Sequence, residues 1–289
     1  MKVAVIGASG QLGSDLCKQL DAADLVSLTH SNIEITSLDS VRDSFQKYRP
    51  DIIINTAAFH RVDDCEADPD KTFRVNALGA RNVAVVAQKL GAKLVHLSTD
   101  YIFGGEDEPR TIPYTEFDTP VPPNVYGRAK LAGEDFVRHL CPRHFIVRVS
   151  GLFGVAGSSG KGGNFVETML KLAKERDELR VVNDQVFSPT YTKDLAGKIA
   201  QLITTEYYGI FHITNRGSCS WYEFTKEILR LAGLKTPVTP ITSDQFPQKA
   251  KRPNYSVLDN YHLRLLGMDD MRPWQEALKD YLIEKGHII

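Results

Sequence analysis

Met1 to Gly13 reads MKVAVIGASGQLG, and this stretch decides the fold. Val3 to Ile6 is an uncharged apolar run ended at once by glycine, which is typical of a strand buried on both faces of a parallel sheet. Gly7, Gly10 and Gly13 follow at three-residue spacing, and leucines then recur at helical spacing. Glycine lets the backbone approach an anion, and the free N–H groups of a helix start point toward it. The segment predicts a strand, turn and helix that bind a pyrophosphate, although GxxGxxG departs from the GxGxxG fingerprint and also occurs in plain structural loops.

The composition is that of an ordinary globular protein. The chain has 289 residues, 25% charged and 42% hydrophobic, with a formal net charge of −1. This balance, without lysine or arginine runs, predicts that it binds neither nucleic acid nor a membrane surface. No apolar stretch approaches the roughly 20 residues that span a bilayer, and a strand lies where a signal peptide would be, so a cytoplasmic location is expected. The four cysteines lack the spacing of metal ligands, which predicts reduced thiols and no metal site.

Apolar runs and amphipathic segments alternate along the first half of the chain. Strands are expected at 25–28, 51–55, 93–97 and 145–149, and helices at 37–48 and 72–90. This alternation predicts an α/β fold with a Rossmann-like doubly wound parallel sheet and right-handed crossovers. We expect a dinucleotide-binding domain over 1–155, rejoined by strands near Val181 and Phe211 within 180–215, and a smaller C-terminal substrate-binding lobe over 156–289. Gly151 to Gly163, a glycine- and serine-rich segment containing Lys161, is predicted to be a loop that orders over substrate.

Small and polar side chains follow the predicted strands at the carboxyl edge of the sheet, where such folds bind ligands. Ala57 and Ala58 follow the third strand and permit the close approach of a flat ligand. Ser98 and Thr99 end the fourth strand, and Tyr101 lies just beyond them. The segment is therefore a candidate site for both cofactor and substrate.

The end of the second predicted strand bears on the choice of dinucleotide. An acidic residue at this position would accept hydrogen bonds from the ribose hydroxyls of NAD. This chain has Thr29, His30 and Ser31 there, and its first acid is Glu34. His30 or Ser31 could hydrogen-bond a 2′-phosphate, which favours NADPH over NADH, but a polar turn without a cofactor role explains the segment equally well.

Tyr126 and Lys130 lie one helical turn apart in NVYGRAK, so their side chains share one helix face. A tyrosine acting as general acid toward a carbonyl needs a pKa lowered from about 10 toward neutrality, which a neighbouring ammonium supplies. A hydroxyl such as that of Thr99 can polarise the same carbonyl oxygen while the cofactor delivers hydride. As an isolated pattern YxxxK is usually an exposed pair, but after this glycine-rich strand it predicts an oxidoreductase.

Four motifs together make a more specific pattern: GASGQLG, STDYIFGG, NVYGRAK and NDQVFSPT. Over essentially its whole length the chain resembles the extended short-chain dehydrogenase/reductases, and most closely the dTDP-4-dehydrorhamnose reductase family. The resemblance implies a catalytic triad of Thr99, Tyr126 and Lys130. It also implies cofactor contacts at Gly7, Gly10, Gln11, Leu12, Gly13, Ala57, Ala58 and Asn76. With the residues singled out above, the candidate cofactor site further includes His30, Ser31, Ser98, Tyr126 and Lys130.

For the substrate the resemblance implies contacts from Thr99, Tyr101, Phe103, Asn164, Arg252 and Ser256. An arginine suits a diphosphate because its planar fork donates two parallel hydrogen bonds, although Arg252 could equally be a solvated surface charge. The expected reaction is NAD(P)H-dependent reduction of the 4-keto group of a nucleotide-linked deoxysugar, dTDP-4-dehydrorhamnose to dTDP-L-rhamnose, by a homodimer. Where the family usually carries a tryptophan that shapes the sugar pocket, this chain has Gly151.

Two other functions fit the same fold. Sugar-nucleotide dehydratases and epimerases resemble this chain, but the dehydratases carry Thr-Asp-Glu at the fourth strand, where this chain has Tyr101 in place of the glutamate. A non-catalytic NADP-binding regulatory subunit, like the beta subunit of methionine adenosyltransferase, is the second alternative. The intact triad favours an enzyme.

Overall fold

The structure, a computed structural model, describes residues 1–157, 163–246 and 248–289. Its strands are β1 Val3–Ile6, β2 Leu25–Leu28, β3 Ile52–Asn55, β4 Lys93–Thr99, β5 His144–Val149, β6 Leu152–Phe153, β7 Leu179–Val182, β8 Val186–Phe187, β9 Thr190–Tyr191, β10 Gly209–His212, β11 Cys219–Ser220 and β12 Val238–Ile241. Its helices are α1 Gln11–Gln19, α2 Leu38–Tyr48, α3 Val62–Ala67, α4 Pro69–Phe73, α5 Ala80–Leu90, α6 Val125–Leu140, α7 Phe165–Glu175, α8 Thr192–Leu202, α9 Trp221–Leu231, α10 Tyr261–Leu265 and α11 Trp274–Glu284.

Six parallel strands form the central sheet in the order β10-β5-β4-β3-β1-β2. β1 is flanked by β2 on one side and β3 on the other, with Val3 opposite both Leu25 and Ile52. The chain thus winds outward in both directions from β1, which opens a crevice at the carboxyl ends of β1 and β3. The predicted doubly wound parallel sheet is confirmed.

Both faces of β1 are buried, as its uncharged sequence predicts. Val3 and Val5 pack into a cluster with α1 and α8, while Ala4 and Ile6 pack into a second cluster with α2 and α5. Full burial of all four side chains removes apolar surface from water on both sides of the strand. The glycine turn that follows is therefore held on a rigid support.

The C-terminal part has a hydrophobic core of its own, built mainly from β7, α7, α9 and α11. The strand that contains Phe211 joins the central sheet beside β5, as expected. The expected return of the strand at Val181 is wrong, because β7 pairs in parallel with β12 in a separate two-stranded sheet. The interior of the predicted Gly151 to Gly163 loop, including Lys161, lies outside the described residues.

The helix predicted over 72–90 begins earlier, at Pro69, and is interrupted by a π-helical segment, Arg74–Gly79, between α4 and α5. π-Helical turns are frequent next to functional sites because they redirect side chains from a continuous helix. Here the segment contains Asn76 and faces the loop after β3. In the part of the chain that the structure describes, no helix is long and apolar enough to cross a membrane.

Candidate active site

A cavity of about 1200 Å³ lies between the carboxyl ends of β1, β3 and β4 and the C-terminal lobe. Ligands of doubly wound sheets bind at this edge, where the chain reverses its winding direction. Most of the side chains predicted from the sequence line it. Those are Gly7, Gly10, Gln11, Leu12, His30, Ala57, Ala58, Ser98, Thr99, Tyr101, Tyr126, Lys130, Asn164 and Ser256.

The glycine turn after β1 is built for close backbone contact. Gly7 has a φ of +79°, and a Cβ added there would lie 2.5 Å from Thr56 Oγ1. Gly13 does not line the cavity. A Cβ at this position would collide with the Gly7 carbonyl oxygen. The structure therefore gives Gly13 a packing role, letting α1 lie against the turn, in place of the expected cofactor contact.

Two buried polar atoms lack a hydrogen-bond partner in the described residues, Gln11 Oε1 and Ser98 Oγ, and both residues line the cavity. An unsatisfied buried polar group costs about 1–3 kcal/mol, so such atoms mark places where a polar ligand binds. α1 also begins at this cavity, with Gly10 as N-cap and no capping side chain. Free N–H groups at a helix start suit a pyrophosphate. These residues fit a dinucleotide.

Of the two residues expected near the adenosine ribose, both in the loop after β2, only one faces the cavity. His30 lines the cavity, whereas Ser31 does not; the Ser31 hydroxyl lies 2.8 Å from Thr29 Oγ1. Glu34 Oε1 accepts hydrogen bonds from the backbone N–H and the hydroxyl of Thr36. Burial raises the pKa of Glu34, but the Thr36 hydrogen bonds and the nearby His30 outweigh it and lower that pKa. The Glu34 carboxylate is already engaged.

The three residues of the expected triad come together at the end of β4 and on the first turns of α6. Asn124 caps this helix by accepting from the Gly127 backbone N–H at 2.9 Å. Gly127 must be small, because a Cβ there would collide with the Tyr101 carbonyl oxygen. Close packing of α6 on the turn after β4 thus holds Tyr126 beside Thr99.

Lys130 is almost completely buried, at 2% exposure. Its Nζ donates to the Leu97 carbonyl oxygen at 2.5 Å and lies 3.5 Å from His96 Nε2. Burial lowers the pKa of Lys130 to about 8. Burial also lowers the pKa of His96 well below its ordinary value, with the Lys130 charge as the next cause, so His96 is neutral beside it.

The expected lowering of the Tyr126 pKa toward neutrality is wrong. Burial raises the pKa of Tyr126, and the hydrogen bond with Thr99 offsets only part of that rise. The ammonium of Lys130 is directed to the Leu97 carbonyl. Tyr126 is consequently a phenol that keeps its proton at neutral pH.

Ser256 reaches the cavity from the C-terminal lobe and meets a buried carboxylate. Asp100, directly after Thr99, accepts hydrogen bonds at Oδ2 from Ser256 Oγ at 2.6 Å and from Ser150 Oγ at 2.7 Å. The lobe is thereby tied to the end of β4. Ser256 donates its only hydroxyl proton in this hydrogen bond.

Asn164 is the N-cap of α7, where its Oδ1 accepts from the Glu167 N–H at 3.2 Å. Its Nδ2 donates to the Gly154 carbonyl and to Tyr281 Oη, both at 3.0 Å. Tyr281 donates in turn to Glu167 at 2.5 Å. These bonds fix the cavity edge at the start of α7.

Besides Gly13 and Ser31, three more of the expected contact residues lie outside the cavity lining that the described residues form. Asn76 uses its amide on the backbone of Phe59, accepting at 2.9 Å and donating at 2.8 Å. Phe103 is fully buried and stacks on Tyr114 at 4.2 Å between ring centroids. Arg252 forms an ion pair with Asp63 at 3.1 Å. The first two brace the fold around the site, and Arg252 is held near Tyr101 at its margin.

The lobe supplies an aromatic wall. Gly151, with a φ of +53°, leaves room for the ring of Phe187, into which any Cβ would project. Phe187 stacks on Trp221 with 3.9 Å between ring centroids, and the Phe165 ring also packs against Trp221, at 4.5 Å. All three rings line the cavity. They occupy the side of the pocket where the family tryptophan was expected.

Sequence reasoning assigned no site role to several residues of this lining, among them Lys71, Arg74, Asp100, Phe187 and Trp221. Asp100 stands inside the STDY motif, in the polar cluster at the end of the fourth predicted strand, but its spacing alone assigned it no role. The two aromatic residues lie in separate segments and give no local signal. Lys71 and Arg74 are cations on a helix that reads as solvated surface, yet they lie where a phosphate could reach them.

Comparison with known proteins agrees with the fold and the cavity described above. Residues 1–286 match the family model described as the RmlD substrate binding domain. The chain is 44% identical to the spore coat polysaccharide biosynthesis protein SpsK of Bacillus subtilis, covering 99% of this chain and 98% of that protein. It is 37% identical to a dTDP-4-dehydrorhamnose reductase of Mycolicibacterium smegmatis, covering 96% and 84%. The crystal structure of the Bacillus anthracis dTDP-4-dehydrorhamnose reductase in complex with NADP matches with a TM-score of 0.92, 45% identity and coverage of 98% and 100%. The chain belongs to the dTDP-4-dehydrorhamnose reductase family of extended short-chain dehydrogenase/reductases.

Proposed function

We propose that this protein is an NADPH-dependent oxidoreductase that reduces the 4-keto group of a dTDP-linked deoxysugar, dTDP-4-dehydrorhamnose, to give dTDP-L-rhamnose. One observation carries the proposal. A half-buried tyrosine, a buried lysine and a buried threonine converge on one cavity. The same cavity holds the two unpartnered polar atoms and the start of α1, which has no capping side chain. Relatives whose names state this activity span almost the whole chain, and one of them binds NADP.

NADPH supplies the hydride when it is bound. Tyr126 is the proton donor to the carbonyl oxygen, which its raised pKa suits because the phenol remains protonated until charge develops on that oxygen. Thr99 hydrogen-bonds the same oxygen and polarises it. Lys130 is a positive charge one helical turn from Tyr126, anchored to the Leu97 carbonyl. We assign it the stabilisation of the phenolate that forms as the proton leaves.

The cofactor groups are assigned to the sheet half. Gly7, Gly10, Gln11 and Leu12 hold the pyrophosphate, Ala57 and Ala58 border the flat rings, and the Ser98 hydroxyl gains a partner. His30 faces the adenosine ribose, with Lys71 and Arg74 as further cations on the cavity lining that can meet a 2′-phosphate. Glu34 Oε1 accepts from Thr36, and its Oε2 lies 3.5 Å from His30 Nδ1. With the cations Lys71 and Arg74 on the same lining, we expect NADPH to be used at least as well as NADH.

The substrate groups are assigned to the opposite side. Tyr101, Asn164 and Ser256 line the cavity next to the triad, and Arg252 anchors the diphosphate from its margin. The Arg252 ion pair with Asp63 pre-orients the guanidinium; the Arg252 side chain is mostly buried, while that of Asp63 is 41% exposed. The homodimer and the cytoplasmic location remain predictions.

The decisive experiment measures NADPH and NADH oxidation with a small panel of nucleotide-4-ketosugars. Tyr126→Phe keeps the ring and its edge contact with Tyr101 but removes the proton. We expect unchanged cofactor binding and a fall in kcat of roughly 10²–10⁴, the usual value of general acid catalysis. Near-normal turnover in this variant would refute the assignment.

The same panel separates the alternatives. A non-catalytic regulatory subunit binds NADPH and oxidises none of it with any sugar nucleotide. A dehydratase or epimerase converts its substrate without net consumption of cofactor. Stoichiometric NADPH oxidation coupled to loss of the keto group supports the reductase alone.

A further inference from the structure

A buried carboxylate lies directly behind the proposed catalytic threonine, and the reaction as described above does not use it. Asp100 is 4% exposed and lines the cavity. Its Oδ2 accepts from Ser150 and Ser256, and its Oδ1 accepts from Thr99 Oγ1 at 3.2 Å. Three hydroxyls from segments up to 156 residues apart therefore converge on one side chain.

The two oxygens of this carboxylate are not equivalent. Oδ2 has two short hydrogen bonds of 2.6 and 2.7 Å, close to the best distance for O–H to O. Oδ1 has one longer bond, to Thr99, and carries the weaker donor set. A proton bound by Asp100 is therefore carried on Oδ1, the oxygen that faces Thr99.

The Thr99 hydroxyl has one proton to give. Its oxygen already accepts from the Tyr101 backbone N–H at 3.2 Å, and Thr99 also hydrogen-bonds the Tyr126 phenol. When Tyr126 gives its proton to the substrate carbonyl, one lone pair of the Thr99 oxygen is left for Asp100. While Asp100 is ionised, the Thr99 proton points to Oδ1 and away from any carbonyl in the cavity. Once Oδ1 is protonated it donates to Thr99, and the Thr99 proton is released toward the cavity.

The electrostatic surroundings of Asp100 also favour its protonated form. The groups that titrate around Asp100 are the phenols of Tyr101 on the same turn and Tyr126 on α6, while Arg252 on the lobe segment faces Tyr101. Among the described residues, no ion pair neutralises Asp100; its partners are three neutral hydroxyls and its own backbone N–H. Burial raises the pKa of Asp100 to about 6 against the opposing effect of those hydrogen bonds. An ionised carboxylate here would also oppose negative charge developing on a substrate oxygen.

We propose that Asp100 is a positioning residue for the reduction, which in its protonated form donates through Oδ1 to Thr99 and so turns the Thr99 hydroxyl toward the substrate carbonyl. The proposal rests on the proposed function for its substrate, but the protonation of Asp100 can be measured without any substrate. It makes Thr99 an effective donor only when Asp100 is neutral. Ser150 and Ser256 keep the carboxyl group turned so that Oδ1 faces Thr99.

Asp100→Asn tests this directly because the amide has the same shape and its Nδ2 donates permanently to Thr99 while its Oδ1 accepts from the two serines. We expect the wild-type kcat to decline from pH 5 to pH 7.5, by roughly tenfold for the loss of one well-directed hydrogen bond. Asp100→Asn should have a flat profile over that range, at the level the wild type reaches at low pH. Asp100→Ala, which loses both the donor and the serine links, should have a kcat reduced at every pH.

Asp15→Asn is the matched control, since Asp15 is equally buried and accepts from the Thr192 hydroxyl, but lies outside the cavity lining. Its pH profile should follow the wild type. If Asp100→Asn keeps the wild-type pH dependence of kcat, the positioning role is wrong.

A second measurement separates this failure from failure of the proposed function. The free energy of unfolding of wild type and Asp100→Asn, measured from pH 4 to pH 7.5 without ligands, should diverge as Asp100 ionises. Parallel curves would overturn the proposal even if the enzyme is active. The curves can also diverge while none of the keto sugars in the panel supports NADPH oxidation by the wild type. The proposed function has then failed. The positioning role is overturned with it, because no reduction is left in which Asp100 could act.

Discussion

Lys130 carries a cost in stability that can be measured without substrate. Its ammonium is buried and its pKa is lowered to about 8, whereas an unfolded lysine keeps its ordinary pKa of 10.5. Below pH 8 the folded protein therefore bears an ammonium that it holds less favourably than the unfolded chain does. The penalty disappears as the pH rises through 8 toward 10.5, because both states then lose the proton.

Lys130→Met exposes this penalty because methionine has a similar length and carries no charge. The difference in pKa corresponds to about 3 kcal/mol at neutral pH, from the free energy equivalent to each pKa unit. The free energy of unfolding of the wild type should accordingly rise by about 2–3 kcal/mol relative to that of the variant between pH 7 and pH 10. Loss of the hydrogen bond to the Leu97 carbonyl shifts the whole difference by a constant and leaves its slope with pH unchanged.

Urea unfolding of both proteins at pH 7, 8, 9 and 10 provides the assay. Tyrosines and cysteines also titrate in this range, but they are common to both proteins and cancel in the difference. A difference that stays constant within about 0.5 kcal/mol, well below the expected linkage, would refute the reasoning. Lys130 would then be hydrated in solution, and its proposed position behind Tyr126 would be wrong.

Two further predictions follow from individual contacts. Gly127→Ala drives a methyl group against the Tyr101 carbonyl oxygen and should destabilise the protein by about 1–3 kcal/mol in thermal unfolding. Gly197→Ala, with open space around it in α8, should instead stabilise it by about 0.5–1 kcal/mol; equal effects would contradict the packing argument. Arg252→Ala should raise KM for the sugar nucleotide roughly tenfold, the value of one charge-assisted hydrogen bond, and leave the Kd for NADPH unchanged. Arg230→Ala, at an exposed ion pair with Glu227, is its control, and weakened NADPH binding in Arg252→Ala would reverse the assignment.

Features set by neighbouring residues were readable from the sequence. β1, the glycine turn and the one-turn spacing of Tyr126 and Lys130 depend on local pattern, and the structure places all of them at one cavity. The parallel sheet followed from strand–helix alternation, because parallel neighbours require crossovers. The pairing of β7 with β12 depends on residues about 60 positions apart, so periodicity could not reveal it.

Side-chain direction and burial were the parts that the sequence could not supply. The family resemblance placed Asn76 and Phe103 near ligands, but the fold turns one toward the Phe59 backbone and the other onto Tyr114. The pKa of Tyr126 was expected to fall because of its spacing to Lys130. Burial dominates it instead, and the depth at which a helix face lies is a property of the assembled chain.

The space at Gly151 has a consequence for how the sugar pocket can change. Because the ring of Phe187 fills the volume that any side chain at 151 would need, the two positions cannot vary independently. A tryptophan introduced at 151 alone would collide with Phe187, while a small residue at 187 alone would leave Trp221 without its stacking partner. The positions are an epistatic pair: a larger side chain at 151 requires a change at 187 that vacates the volume of the Phe187 ring.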